Sequence, residues 1–328
     1  MTITTLKNIS ETLELSISTV SRALKDHPDI SEKTKRRVIE LAKALDYEPN
    51  VNAIHLRTND NRLFGLIVPS ISNFFYDSFI SSVEEECRTY RYGLMILQSG
   101  DEVLTENNSL KLCRQNRVTG LFACISSETT EIEPFLKFKD LKTPVIFFDN
   151  VPDVEDCNKV CVADEDSAII AADAIINKKK KKILALFGNE KLLITRKRLK
   201  AFKETMSSKA PDAQVIVDFA VNSKEAEKLI HKYFSRKPDT VFCMSDEILT
   251  GVLKGIQKKG LTIPKDISVI AISNGFIPKL YYPEITYVET SGYKLGKLAF
   301  SSMMACLGGS TFIQKLNIEA VLVEGGSL

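Results

Sequence analysis

Leu15-Ser16-Ile17-Ser18-Thr19-Val20-Ser21-Arg22-Ala23-Leu24 reads as the second helix of a helix-turn-helix. Ser16 is an N-cap candidate, because its hydroxyl can accept from a free amide of the first turn. Val20 and Leu24 stand four apart and turn inward, which puts Ile17, Ser18, Ser21 and Arg22 on the opposite face. Such side chains suit the major groove: arginine can hydrogen-bond guanine, serine can pair with several base edges, and isoleucine can touch a thymine methyl. The same face would serve as the solvated side of a small helical bundle, and helical spacing alone leaves both readings open.

Upstream, Leu6, Ile9 and Leu13 recur at helical spacing. Downstream, Val38, Leu41, Ala42 and Leu45 repeat the pattern after Ser31, a second N-cap candidate. Three short helices with one apolar face each predict a small closed core over residues 1–46. Glu48-Pro49-Asn50 then stops the third helix, since the residue before a proline avoids the helical region. Asn50 can cap one short stretch, Val51 to Arg57, so residues 47–61 read as a linker carrying two helical turns. A helix that short is marginal alone in water and needs a partner.

From Arg62 onward, apolar runs alternate with amphipathic segments. The runs are Leu63–Val68, Gly93–Leu97, Gly120–Ile125, Pro144–Phe148, Lys159–Val162, Ile183–Phe187, Val215–Phe219, Thr240–Met244 and Ile267–Ile272. The segments between them include Phe75–Tyr90, Asp166–Ile176, Arg196–Met206 and Ile248–Lys258. Near-continuous apolar strands separated by helices predict an α/β fold with parallel sheets. The strands are too many for one comfortable open sheet, so residues 62–328 are expected to form two lobes. Ligands in such folds sit beyond the carboxyl ends of strands. Those ends carry Pro69–Asn73, Asp149-Asn150, Asp164, Ser245-Asp246 and Ser273-Asn274.

Composition narrows the function. Over 328 residues, 44 Lys and Arg face 42 Asp and Glu, a net charge of +2, so any nucleic-acid binding must come from local placement of charge. No apolar run approaches the ~18–20 residues of a membrane span. The N-terminus has no charged start followed by an apolar stretch, and the seven cysteines are odd in number and scattered, which fits reduced thiols in a cytoplasmic protein. Nucleophile-elbow, Walker and paired-histidine zinc motifs are missing and no carboxylate couple stands out, so no catalytic residue, cofactor or enzyme activity is expected. Cys157 and Cys161 lack a neighbouring histidine, which argues against a metal. The lysines at 178–182 follow a helix end, where positive charge is favoured, and read as solvated. Lys294-Leu295-Gly296-Lys297 reads as helix surface.

Thr5-Leu6-Lys7-Asn8-Ile9, the stretch Leu15–Leu24, Ile30–Thr34 and Leu45-Asp46-Tyr47-Glu48-Pro49-Asn50 with Ala53 and Leu56 together resemble the LacI/GalR family of bacterial transcriptional regulators. Ile67–Phe75, Pro144–Asp149, Arg198–Phe202, Phe242–Asp246, Ile263–Ile270 and Pro283–Val288 resemble its effector domain, so the likeness spans nearly the whole chain. The resemblance implies a headpiece joined by a hinge helix to a core like periplasmic sugar-binding proteins. It implies a homodimer on a near-palindromic double-stranded DNA operator, a small-molecule effector, and no membrane partner. It assigns DNA contact to Thr5, Leu6, Ser16, Ile17, Ser18, Thr19, Ser21 and Arg22. In the hinge it assigns Asn50 to the start, Ala53 to the close-packed position and Leu56 to the wedge that unstacks a base step. For the effector it points to Asn73, Phe74, Phe75, Asp149, Arg198, Asp246 and Ser273.

Three departures from the family pattern bear on this. Glu14 stands in the turn where the family carries Gly or Asn, at a cost of ~1 kcal/mol if that position needs a positive φ. Residues 1–60 hold nine basic and nine acidic side chains, so DNA affinity must rest on placement, with Arg22, Lys33, Lys35, Arg36, Arg37 and helix N-termini as phosphate contacts. Ser273-Asn274 replaces an aspartate pair whose first member accepts sugar hydroxyls, which weakens the case for a plain hexose. The expected function is thus an effector-controlled regulator, acting as a repressor, with a sugar or sugar derivative in the cleft. The alternative is a cleft that binds a non-sugar ligand or a regulator that answers to a protein partner.

Overall fold

The computed structural model describes residues 4–48 and 61–328. The chain divides into two compact units, Met1–Asn61 and Arg62–Leu328. The first contains α1 (Leu6–Leu13), α2 (Ile17–Leu24) and α3 (Glu32–Ala44). Each begins on a hydroxyl cap: Thr5 accepts from the Asn8 amide, Ser16 from Thr19 and Ser31 from Thr34. Ile9, Val20, Ala23, Val38 and Ala42 are buried together, with Leu6, Leu13, Leu24 and Leu41 packed around them. Glu14 ends α1 in the left-handed region, at φ 54° and ψ 42°.

The second unit holds two six-stranded sheets. The first contains β1 (Leu63–Val68), β2 (Gly93–Gln98), β3 (Gly120–Ala123), β4 (Val145–Phe148), β5 (Asn158–Val162) and β11 (Lys315–Ile318), in the order β2-β1-β3-β4-β5-β11 and parallel throughout. The second contains β6 (Lys182–Phe187), β7 (Gln214–Phe219), β8 (Thr240–Cys243), β9 (Ser268–Ser273), β10 (Thr286–Glu289) and β12 (Val321–Val323), in the order β7-β6-β8-β9-β10-β12, with β12 antiparallel to β10. In both, the strand order reverses beside the first strand, which opens a crevice at the carboxyl ends.

Helices cover the sheets. On the first lobe these are α4 (Phe74–Thr89), α5 (Val103–Gln115) and α6 (Glu133–Asp140). On the second they are α7 (Asp164–Asn177), α8 (Leu193–Lys209), α9 (Ser223–Tyr233), α10 (Asp246–Lys258) and the short α11 (Phe276–Leu280). The chain passes between lobes after β5, after β10 and after β11. The second passage leads into α12 (Gly292–Leu307), which returns to pack on the first lobe through Leu295, Ala299, Phe300 and Met303. This corrects the reading of residues 294–297 as surface: Leu295 and Gly296 are buried, and Lys294 and Lys297 alone stay exposed. Gly296 sits so close to α4 that a Cβ would meet the Phe79 carbonyl at 2.8 Å. Small residues, which carry little pattern in a sequence, mark the buried face of α12.

Candidate functional site

In the first unit α2 presents a polar face. Ile17, Ser18 and Arg22 are exposed and Ser21 is half-buried, opposite the buried Val20 and Ala23. The Ser16 hydroxyl lies 2.7 Å from that of Ser18 and 2.8 Å from that of Thr19, so the start of the helix is a tight hydroxyl cluster. Thr5 is exposed and caps α1, whereas Leu6 packs against the core. Lys33, Arg36 and Arg37 are exposed along α3. Lys35 departs from its reading as a phosphate contact. It is 8% exposed, and its ammonium is bound by Asp26 at 2.6 Å and Glu32 at 2.8 Å. The hydrogen bonds it donates to these two carboxylates hold its pKa above the ordinary value. Its charge is cancelled within the headpiece and is not presented to a duplex. Asn50, Ala53 and Leu56 lie outside the described residues.

In the second unit the carboxyl ends of both sheets border one cleft of about 470 Å³. Pro69 to Asn73 follow β1, Asp101 follows β2, Asp149 follows β4, Ser245 to Glu247 follow β8 and Ser273-Asn274 follow β9. Of the residues named for an effector, Asn73, Phe75, Asp149, Arg198, Asp246 and Ser273 all border this space. Phe74 does not. Its ring stacks on Phe276 at 5.3 Å between centroids, and its carbonyl accepts from the Asn274 amide at 2.8 Å, so it joins the lobes instead of facing the cleft. The reason is local: Asn73 caps α4 by accepting from the amides of Phe75 and Tyr76, and this fixes which way the first turn points.

The polar groups are largely tied to one another. Arg198 is buried. Its Nε and Nη2 meet the Asp164 carboxylate at 3.0 and 2.9 Å, and its Nη1 donates to the Met244 carbonyl at 3.1 Å. Burial pushes Asp164 up to about 6 despite the neighbouring guanidinium. Asp246 is the first residue of α10, but the cap is Ser245, which leaves the Asp246 carboxylate free to accept from the Ser273 hydroxyl and from the Asn274 amide at 3.1 Å. Burial likewise pushes Asp246 up to about 6. The Ser273 hydroxyl also accepts from the Gly275 amide at 2.9 Å. Its proton is therefore held by Asp246, and Ser273 acts on the cleft by orienting that carboxylate. Asp149 follows its strand with φ 57°, a strained conformation for a non-glycine and one typical of functional positions. The Tyr76 hydroxyl donates to it at 2.7 Å. Burial and the Asp149 charge push the Tyr76 phenol well above its ordinary range.

Four further residues belong to this site: Tyr76, Asp101, Asp164 and Glu247. Asp164 carried a signal, as a polar residue at a strand end. Tyr76 sat inside a helical pattern and Glu247 at the edge of one, where a phenol or a carboxylate reads as ordinary. Among the described residues no group of three or more His, Cys, Asp or Glu could hold a metal ion, and no helix is long and apolar enough to cross a membrane.

Residues 5–50 match the model of bacterial regulatory proteins of the lacI family, and residues 172–328 match a periplasmic binding protein-like domain. The chain thus joins a LacI-family helix-turn-helix headpiece to a periplasmic-binding-protein-like domain. It is 27% identical over 315 residues to the HTH-type transcriptional regulator RegA of Clostridium acetobutylicum, covering 91% of each chain. It is 28% identical over 307 residues to the ribose operon repressor of Bacillus subtilis, covering 92% of this chain and 91% of that one. The fold matches that of the lac repressor dimer bound to operator and the anti-inducer ONPF, with a TM-score of 0.86, 18% identity and 99% of each chain covered. These two parts make the chain a DNA-binding transcriptional regulator, and the relatives it matches are regulators, not enzymes.

Proposed function

We propose that this LacI-family regulator reads a near-palindromic operator as a homodimer and acts as a repressor under the control of a sugar or sugar derivative bound between its lobes. The observation that carries this reading is the pairing, in one chain, of an α2 face left exposed at Ile17, Ser18 and Arg22 with a cleft bordered by Phe75, Asp149, Arg198 and Asp246. An arginine and carboxylates around an aromatic ring suit a ligand with hydroxyls on one side and an apolar face on the other. The two-fold operator follows from two identical headpieces reading equivalent half-sites. Leu56, read as the hinge wedge, would bend the duplex by entering a base step.

The test is selection of duplexes from a random pool by the full chain, followed by gel shifts of the selected site with wild type and Leu56→Ala. A palindromic consensus bound at two chains per duplex, with most affinity lost in Leu56→Ala, is the expected result. An asymmetric site bound by one chain overturns the dimeric reading, and wild-type affinity in Leu56→Ala overturns the wedge. A thermal-shift screen of sugars and sugar derivatives then identifies the effector, because a ligand at 100-fold its dissociation constant adds ~2.7 kcal/mol.

A further inference from the structure

The cleft is strongly unbalanced in charge. Among the described residues that border it, Asp101, Asp149, Asp246 and Glu247 are acidic and Arg198 is the one cation. That cation is already claimed, since Asp164 binds its Nε and Nη2 and the Met244 carbonyl binds its Nη1. The recorded side-chain partners of the other acids are neutral. Asp149 takes a proton donor from Tyr76, Glu247 from the Asn73 amide at 2.5 Å, and Asp246 from Ser273. Asp149 belongs to the first lobe and Glu247 to the second, so closing the cleft brings like charges toward each other out of water.

Such an arrangement opposes a ligand carrying phosphate or carboxylate, which would add charge of the same sign in a low-dielectric space where no described residue of the lining is a free lysine or arginine. A neutral polyol would satisfy hydrogen bonds and leave the excess charge unanswered. A protonated amine does both: its N–H groups make charge-assisted bonds to carboxylates, and its charge offsets the repulsion between lobes. We propose that the effector of this cleft is an amine-bearing polyol, of the amino-sugar class, whose ammonium lies between Asp149 and Glu247. The proposal rests on the cleft being the ligand site and names the class of ligand it takes. Burial raises the carboxyl pKa of both Asp149 and Glu247, even though the nearby Arg198 charge pulls Asp149 the other way. The consequence for regulation is direct. A cation bound between the lobes favours the closed arrangement over the open one, and this differential affinity is what shifts a two-state equilibrium.

The test uses the full chain and matched probes in thermal unfolding at constant ionic strength. The pairs are glucosamine, galactosamine and mannosamine against the corresponding hexoses and their 6-phosphates, with ethanolamine against ethylene glycol as a pair free of ring stereochemistry. The amine member is expected to bind about tenfold more tightly than its hydroxyl partner, a difference of roughly 1.4 kcal/mol. Glu247→Gln should reduce that preference, and Asp149→Asn with Glu247→Gln should abolish it while the chain still unfolds cooperatively. No amine preference in any pair overturns the proposal, as does tighter binding of a phosphate or a preference retained in the double variant. A hexose that stabilises the chain more than its amine, and loses that effect in Phe75→Ala, would overturn the amine while leaving the cleft as the ligand site. No shift from any probe that Phe75→Ala changes would count against both.

Discussion

Asp246 holds a carboxylate where water hardly reaches, against the Ser273 hydroxyl and the Asn274 amide. Its pKa is pushed up to about 6, against about 3.9 for a free aspartate. The folded chain therefore binds this proton more readily than the unfolded one. The ionised group opposes folding above pH 6, and the penalty is relieved as pH falls from 6 toward 4. Asp246→Asn should be more stable than the parent by about 1–3 kcal/mol at pH 7.5, with the gain shrinking toward pH 4, because the Ser273 hydroxyl can turn to accept from the new amide. Denaturant unfolding at several pH values checks this, and a gain that does not depend on pH would show that burial of the charge is not the cause. Glu14 makes a second residue-scale case. A non-glycine at φ 54° bears a cost that glycine avoids, so Glu14→Gly should stabilise the α1–α2 turn by about 0.5–1 kcal/mol. Hydrogen exchange of the α1 and α2 amides should slow about two- to fivefold.

Elements act here through the faces they keep apart. On α2, Val20 and Ala23 close the core and Arg22 stays outside. Arg22→Ala should relax sequence choice at one base pair of each half-site, a loss of about 1–3 kcal/mol on the preferred base. Arg36→Ala, which removes an exposed charge from α3, should instead weaken all duplexes alike and lower the salt slope by about one. Equal, sequence-independent losses in the two variants would show that α2 does not read bases. On α12, Gly292 and Gly296 lie against the carbonyls of Phe75 and Phe79 on α4. A methyl at position 292 has no room, so Gly292→Ala should push α4 away and destabilise the chain by about 1–3 kcal/mol. The same displacement carries Phe75 and Tyr76, and ligand affinity should fall with it. An unchanged melting temperature would rule out this close packing.

Across the whole second unit, the lobes are joined near the cleft by a small set of contacts. Asn73 reaches Glu247, Asn274 reaches the Phe74 carbonyl, Phe74 stacks on Phe276, and Lys191 pairs with Glu128 at 3.1 Å. The ion pair is exposed and contributes little, so the aromatic stack and the amide bonds carry most of the closure. Phe276→Ala should shift the lobes toward a more open average, read as a larger radius of gyration in solution scattering, with the sheets themselves intact. A radius equal to that of wild type would place the closure elsewhere.

Much of this was legible from residue order, because local patterning and local chemistry suffice for it. Ser16 before an inward-facing Val20 determines a capped helix with Arg22 outside, and apolar runs such as Leu63–Val68 and Ile183–Phe187 can be accommodated only as covered parallel strands. The strand-end polar residues Asp149 and Ser245-Asp246 could be named for the same reason, since a sheet delivers its strand ends to one edge. What the tertiary structure decided was which of these groups are free. Lys35 looks like any basic residue of α3 until Asp26 folds back on it, Phe74 looks like its neighbour Phe75 until Phe276 stacks on it, and Arg198 stands apart from Asp164 by 34 positions but is bound to it. Pairing of charges and rings depends on contacts distant in sequence, where no period or spacing operates. Packing alone settled that, among the described residues, the cleft keeps four carboxylates and one occupied arginine.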